Sequence, residues 1–187
     1  MAIYDILQYP NPRLKQKAAP VTDFGDELQT IIDNMFETHY SQENCAALAA
    51  SQLDMENPPH VTVIDFSFNK DEPLCLVNAK IVESEGTHSS EEGCMSVGLG
   101  GNIGATVKRA EKIKVEAQDR HGKALHFSAD GFMAKCIQHE LDHLDGKLYI
   151  DHLSSLKRSR LEKQLDKFRR WKKSFEKSKA AEDKEDS

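Results

Sequence analysis

Chemistry is most concentrated at His139-Glu140-Leu141-Asp142-His143. Side chains four residues apart stand over one another on an α-helix, so both imidazoles can reach one metal ion. Glu140 would then project beside that ion, where it can take a proton from bound water. The plain alternative is a chance pattern on a solvated helix; Phe132, Cys136 and Ile137 on the same segment point to a partly buried one. Two histidines are insufficient, because a hydrolytic site needs a third protein ligand and an open position. The extended protease motif fits poorly: Gly146 is present, but Tyr149 stands where its third His belongs. Glu162 falls near the position of a downstream protease Glu, yet it lies among lysines and arginines that would pair with it. Cys94, in Glu91-Glu92-Gly93-Cys94-Met95-Ser96, is the better third ligand, since a metal deprotonates a coordinating thiol. A lone Cys is as a rule a small core residue, so the choice turns on the rest of the chain.

The elements that must position these residues are legible in part. Leu28, Ile31, Ile32, Met35 and Phe36 give Asp26–Tyr40 helical spacing. His60–Phe68 alternates and Leu74–Val77 is a short apolar run, both strand-like. Residues 11–20, with two prolines, read as an extended surface segment, and residues 83–91 as a polar loop. Gly98–Gly104 packs four glycines into seven residues, a tightly turning or mobile loop. Lys112–Gln118 alternates, Asp119–Lys123 suits a hairpin turn, and Ala124–Phe127 would return. Asp130–Leu144 is a second helix and Ser154–Lys177 a third. The expected fold is α+β, with mainly antiparallel sheet around the helix of the two histidines and a C-terminal amphipathic helix. The expected domains are a catalytic body at 1–153, a basic helix at 154–179 and a disordered acidic tail at 180–187.

The 187 residues suffice for one hydrophobic core, and 39% apolar with 30% charged residues excludes disorder throughout. No apolar run approaches the roughly 18 residues of a membrane span, and nothing marks the N-terminus for secretion or import, so a cytoplasmic protein is expected. Four scattered cysteines favour free thiols or a metal ligand over disulfides. The net charge of −6 hides an asymmetry: residues 157–179 carry +8, residues 180–187 carry −3, and residues 1–156 therefore carry −11. Leu161, Leu165, Phe168 and Phe175, with Trp171 nearby, make the basic segment amphipathic. It can serve a docking role or simply present a solvated basic face.

Three segments in register resemble the peptide deformylase family: Cys45-Ala46-Ala47-Leu48-Ala49-Ala50-Ser51-Gln52, Glu92-Gly93-Cys94-Met95-Ser96, and Gln138 through Gly146. The opening Ile6–Leu14 and the stretch Lys108–Lys112 are also similar to the family. The resemblance implies a site in which Cys94, His139 and His143 bind one divalent metal, natively Fe2+, with Zn2+, Ni2+ or Co2+ tolerated. It implies removal of the N-formyl group from the initiator methionine of nascent chains, releasing formate. Glu140 becomes the general base and acid, and the Gln52 side chain and Met95 backbone N–H support the oxyanion. The implied substrate-binding residues are Ala46, Ala47, Leu48, Glu92, Gly93, Phe132, Lys135 and Cys136. Formylated nascent N-termini are the implied partners, with the ribosome reached through the basic helix; no membrane or DNA partner is expected.

The chain departs from the family pattern around the cleft. Cys45 and Ala47 replace a Gly-x-Gly pair, narrowing the segment; Cys45 reads as a small apolar replacement, with a second-ligand or redox role as the alternative. Val97 leads into the uncharged Gly98–Gly104 loop instead of a Pro and an Arg-bearing segment. Ala79 stands for a Pro, and Lys135 for an apolar residue of the methionine pocket. The competing readings are a catalytically weak paralogue with altered substrate preference or a ribosome- or peptide-binding role, and an endopeptidase.

Overall fold

The computed structural model describes residues 2–98 and 102–185, with side chains of the last helix as far as Phe175. The chain divides into two units, Met1–His152 and Leu153–Ser187. The first holds helix α1 (Asp26–Ser41), helix α2 (Gly131–Leu144) and strands β1 (Ala47–Ala49), β2 (Val61–Ile64), β3 (Leu74–Glu85), β4 (His88–Glu92), β5 (Ala105–Arg109), β6 (Lys112–Gln118) and β7 (Ala124–Asp130). Five strands form one antiparallel sheet in the order β1-β2-β3-β6-β7, and β4 pairs with β5 in a second.

Each face of the large sheet carries its own core because alternate side chains point to opposite faces. Leu28, Ile32 and Met35 of α1 pack with Leu48, Val61, Val63 and Val77. Ala134, Cys136 and Ile137 of α2 pack on the other face with Ala47, Ile64, Leu76, Ile113 and Val115. Ile32 and Met35 are fully buried, each contributing about 1.5–3 kcal/mol by leaving water. The sheet thus fixes α2, the helix that bears the two histidines, against β1.

Several expectations are corrected. Residues 83–91 are not a loop: β3 runs to Glu85, and β4 follows a turn at Gly86, whose φ is +69°. These strand portions leave the core, so they have no apolar face to display. They are held instead by ladder bonds and by cross-strand pairs such as Lys114–Glu83 at 2.7 Å. Residues 11–20 contain a 3-10 turn, Pro12–Lys15, that buries Leu14. The His60–Phe68 strand stops at Ile64, because the Asp65 side chain accepts from the backbone N–H and hydroxyl of Ser67 and turns the chain. Of the Gly98–Gly104 loop, residues 99–101 lie outside the described residues. Gly98 has φ +79°, and a Cβ there would meet the Ile103 side chain at 2.9 Å.

In the second unit, helix α3 (Ser155–Glu185) extends beyond residue 179, through 180–185 where a tail was expected. Along it the Trp171 ring is tilted against Phe168 and stacks on Phe175, with centroids 5.6 Å apart in each pair. Glu162 accepts from Arg158 at 3.1 Å, the local pairing anticipated for it. No helix is long and apolar enough, among the described residues, to cross a membrane.

Candidate metal centre

His139 and His143 project from one face of α2 with Nε2 atoms 3.1 Å apart. Cys94 sits in a turn closed by Val97 N–H donating to Cys94 O, and its Sγ lies 3.2 Å from His143 Nε2. The three ligand atoms all lie within 4.8 Å of one another.

Surrounding groups fix each ligand. His139 Nδ1 donates to Glu92 Oε2 at 2.9 Å, so its Nε2 turns a lone pair toward Cys94 and His143. Glu92 in turn accepts from Arg109 Nε at 2.9 Å and from Nη2 at 3.0 Å, a buried bidentate pair. Burial pushes the Glu92 carboxyl up, but its bonds to His139 and Arg109 outweigh that and hold it at about 2. Arg109 also donates to Asp142, which pairs with His152 at 2.6 Å. Ser51 donates to the His143 carbonyl at 2.7 Å, tying α2 to the first motif. Tyr149 stacks over His139 with ring centroids 6.3 Å apart and donates to Ile103 O; it walls the site where a protease would place a ligand.

Glu140 is 4% exposed, and burial lifts its carboxyl to about 7. Its Oε2 has no hydrogen-bond partner among the described residues. An orphaned carboxyl oxygen in the same cavity as a cysteine sulfur and an imidazole with its tautomer set, both clustered with a second imidazole, fits a divalent cation with a water or substrate oxygen next to Glu140. Gln52 is equally buried: its Oε1 accepts from Ala49 N–H at 2.9 Å, while its Nε2 faces Ser96 Oγ at 3.1 Å and Cys94 Sγ at 3.5 Å.

These groups open into a cavity of about 450 Å³. Ala46, Ala47, Gly93, Met95, Phe132, Lys135 and Cys136 line it. Leu48 does not; strand alternation turns it to the α1 core, where it is fully buried. Glu92 touches the cavity, but its carboxylate is committed to His139 and Arg109, which makes it a support for a ligand instead of a substrate contact. Cys45 lines the cavity with its thiol donating to Ala47 O at 3.3 Å, and burial pushes that thiol up to about 12, a neutral small residue. Sequence reasoning missed Arg109 and Asp142 as partners. Both lie in stretches that resemble the family, but their pairing spans 33 residues and leaves no local spacing to read.

The family model described as polypeptide deformylase matches residues 3–159. A protein from Coxiella burnetii named peptide deformylase 1 is 65% identical over 168 residues, covering 90% of this chain and 98% of that protein. The crystal structure of a peptide deformylase from Legionella pneumophila is 43% identical, with a TM-score of 0.83 over 91% of this chain and 98% of that one. That of a peptide deformylase from Synechococcus elongatus in complex with actinonin is 33% identical, with a TM-score of 0.77 over 88% and 85% of the two chains.

Proposed function

The chain belongs to the polypeptide deformylase family, and from that premise we propose that it removes the N-formyl group from the N-terminal methionine of nascent polypeptides, releasing formate. The observation that carries the reading is the convergence of Cys94, His139 and His143 beside the unpartnered oxygen of Glu140. The three would hold a divalent cation, natively iron(II), with zinc, nickel or cobalt accepted; a thiolate and two imidazoles suit these ions. When bound, such a cation supplies Lewis acidity, bringing the pKa of water to about 7 and polarising a carbonyl. Glu140, with its carboxyl raised toward neutrality, takes the proton from the attacking water and returns it to the departing amine. The Gln52 amide and the Met95 N–H are assigned to the oxyanion; the Ala49 bond orients the Gln52 amide, so little reorganisation is needed as charge develops.

Formate release from formyl-Met peptides tests this. Glu140→Ala should lose about 10²–10⁴ in kcat while retaining stoichiometric metal. Undiminished turnover in that variant would remove Glu140 from its role. Metal analysis after anaerobic purification distinguishes iron from zinc.

The cytoplasm is the compartment in which formylated nascent chains arise, and we assign the protein to it. We also assign α3 to ribosome docking, on the +8 charge of residues 157–179 and its exposed Trp171 and Phe175. Ribosome co-sedimentation should fall steeply with salt and vanish on truncation after residue 156; binding that survives truncation rejects the assignment.

A further inference from the structure

Lys135 occupies a place in the cleft that formyl-group chemistry does not require. It lines the cavity above the metal site and also a second groove of about 470 Å³ beyond it, which Phe132 and Lys135 separate from the first. Its side chain bridges α2 to β4: Nζ donates to Glu91 O at 3.2 Å and stands 5.0 Å from the Phe132 ring centroid. Phe132 is itself braced edge-on by Phe66, with centroids 5.0 Å apart. The ammonium is therefore held in one position, with one donor engaged and no carboxylate paired to it among the described residues. The nearby guanidinium of Arg109 is already neutralised by Glu92 and Asp142.

We propose that Lys135 is a specificity-determining residue, selecting formyl-methionyl peptides with Asp or Glu at the second or third position. The inference rests on the deformylase reading above. A chain whose first residue fills the cavity beside the metal centre meets the Phe132–Lys135 ridge if it runs toward the second groove, with which the cavity shares those two residues. There an acidic side chain lays its methylenes on the Phe132 ring and its carboxylate against the ammonium. Holding Lys135 in advance removes part of the entropy cost that weakens exposed ion pairs. Glu111 and Asp130 offset Lys112 in the second groove and Glu91 adds a carboxylate to the first cavity, which opposes a long-range pull, so the preference is a contact effect at one or two residues.

The test compares formyl-Met peptides with Glu, Gln or Lys at position two, then three, in wild type, Lys135→Gln and Lys135→Glu. Wild type should favour Glu over Lys by about three- to fivefold in kcat/KM at one position. Lys135→Gln should level the series and Lys135→Glu invert it. Calorimetric Kd values for the same peptides with Glu140→Ala and Glu140→Ala/Lys135→Glu should follow the same order, placing the effect in binding. A flat wild-type series, or one unchanged in Lys135→Glu, overturns the proposal while formate release stands. No formate from any peptide with metal-replete wild type overturns the deformylase reading and this proposal together.

Discussion

Glu92 is clamped between Arg109 and His139, and its two contacts differ in what they control. The Arg109 pair keeps the carboxylate ionised in a buried place; the His139 contact sets which imidazole nitrogen faces the metal. Glu92→Gln weakens both, since an amide oxygen is a poorer acceptor and the amide can offer His139 a donor instead. Metal affinity should fall about 10–100-fold, measured by competition with a chromophoric chelator. Unchanged affinity would mean that α2 alone orients His139. The candidate ligands stood out because Glu92-Gly93-Cys94-Met95-Ser96 and His139 through His143 are local strings with chemical meaning. Glu92's own role was not, because its partners lie 17 and 47 residues away. Nor could residue type separate Ala47, at the cavity, from Leu48, in the core behind it.

Helix α2 ends where the chain must reverse to put Tyr149 over His139. Gly146 makes that stop: its φ is +73°, its N–H donates to His143 O at 2.9 Å, and Lys147 N–H returns to Asp142 O at 2.8 Å. A Cβ at Gly146 would collide with the Lys15 carbonyl. Backbone strain and collision act together, so Gly146→Ala should cost more than about 1 kcal/mol and lower Tm by about 2–4 °C for each kcal/mol. A thermal scan within error of wild type would show that the Pro12–Lys15 turn gives way freely. Elements with one buried face announced themselves: α1, α2 and the β6–β7 hairpin emerged near their observed bounds because apolar period tracks burial. The end of β3, Glu83–Glu85, and strand β4 are polar on both faces, and their ladders depend on partners that sequence period does not encode.

Seen as a whole, the first unit stacks α1, the large sheet and α2, and the metal site depends on all three layers keeping their places. Antiparallel topology and helix count followed from the sequence; the packing of two separate cores did not, since period says which residues are buried and not against what. The α1 layer carries a cost that acid should expose. His39 is 1% exposed, and neither ring nitrogen has a hydrogen-bond partner among the described residues. Burial lowers its pKa below 6.5 by more than the Ala46 backbone and the Asp65 charge raise it, and Lys70 adds to the lowering. The folded ring therefore stays neutral where the unfolded chain already binds a proton. The stability contribution is fully present above about pH 6.5 and is lost as pH falls below it, at no more than about 1.4 kcal/mol per pH unit. His39→Phe keeps an aromatic ring beside Tyr40 and removes the titration. Denaturant midpoints measured from pH 8 to pH 5, with both proteins carrying the same metal, should show wild type losing ground to the variant only below about pH 6.5. Metal linkage and His60, whose pKa burial also lowers, are common to both and cancel in the difference. Parallel curves across that range would mean that the His39 ring finds a proton acceptor when α1 is acidified.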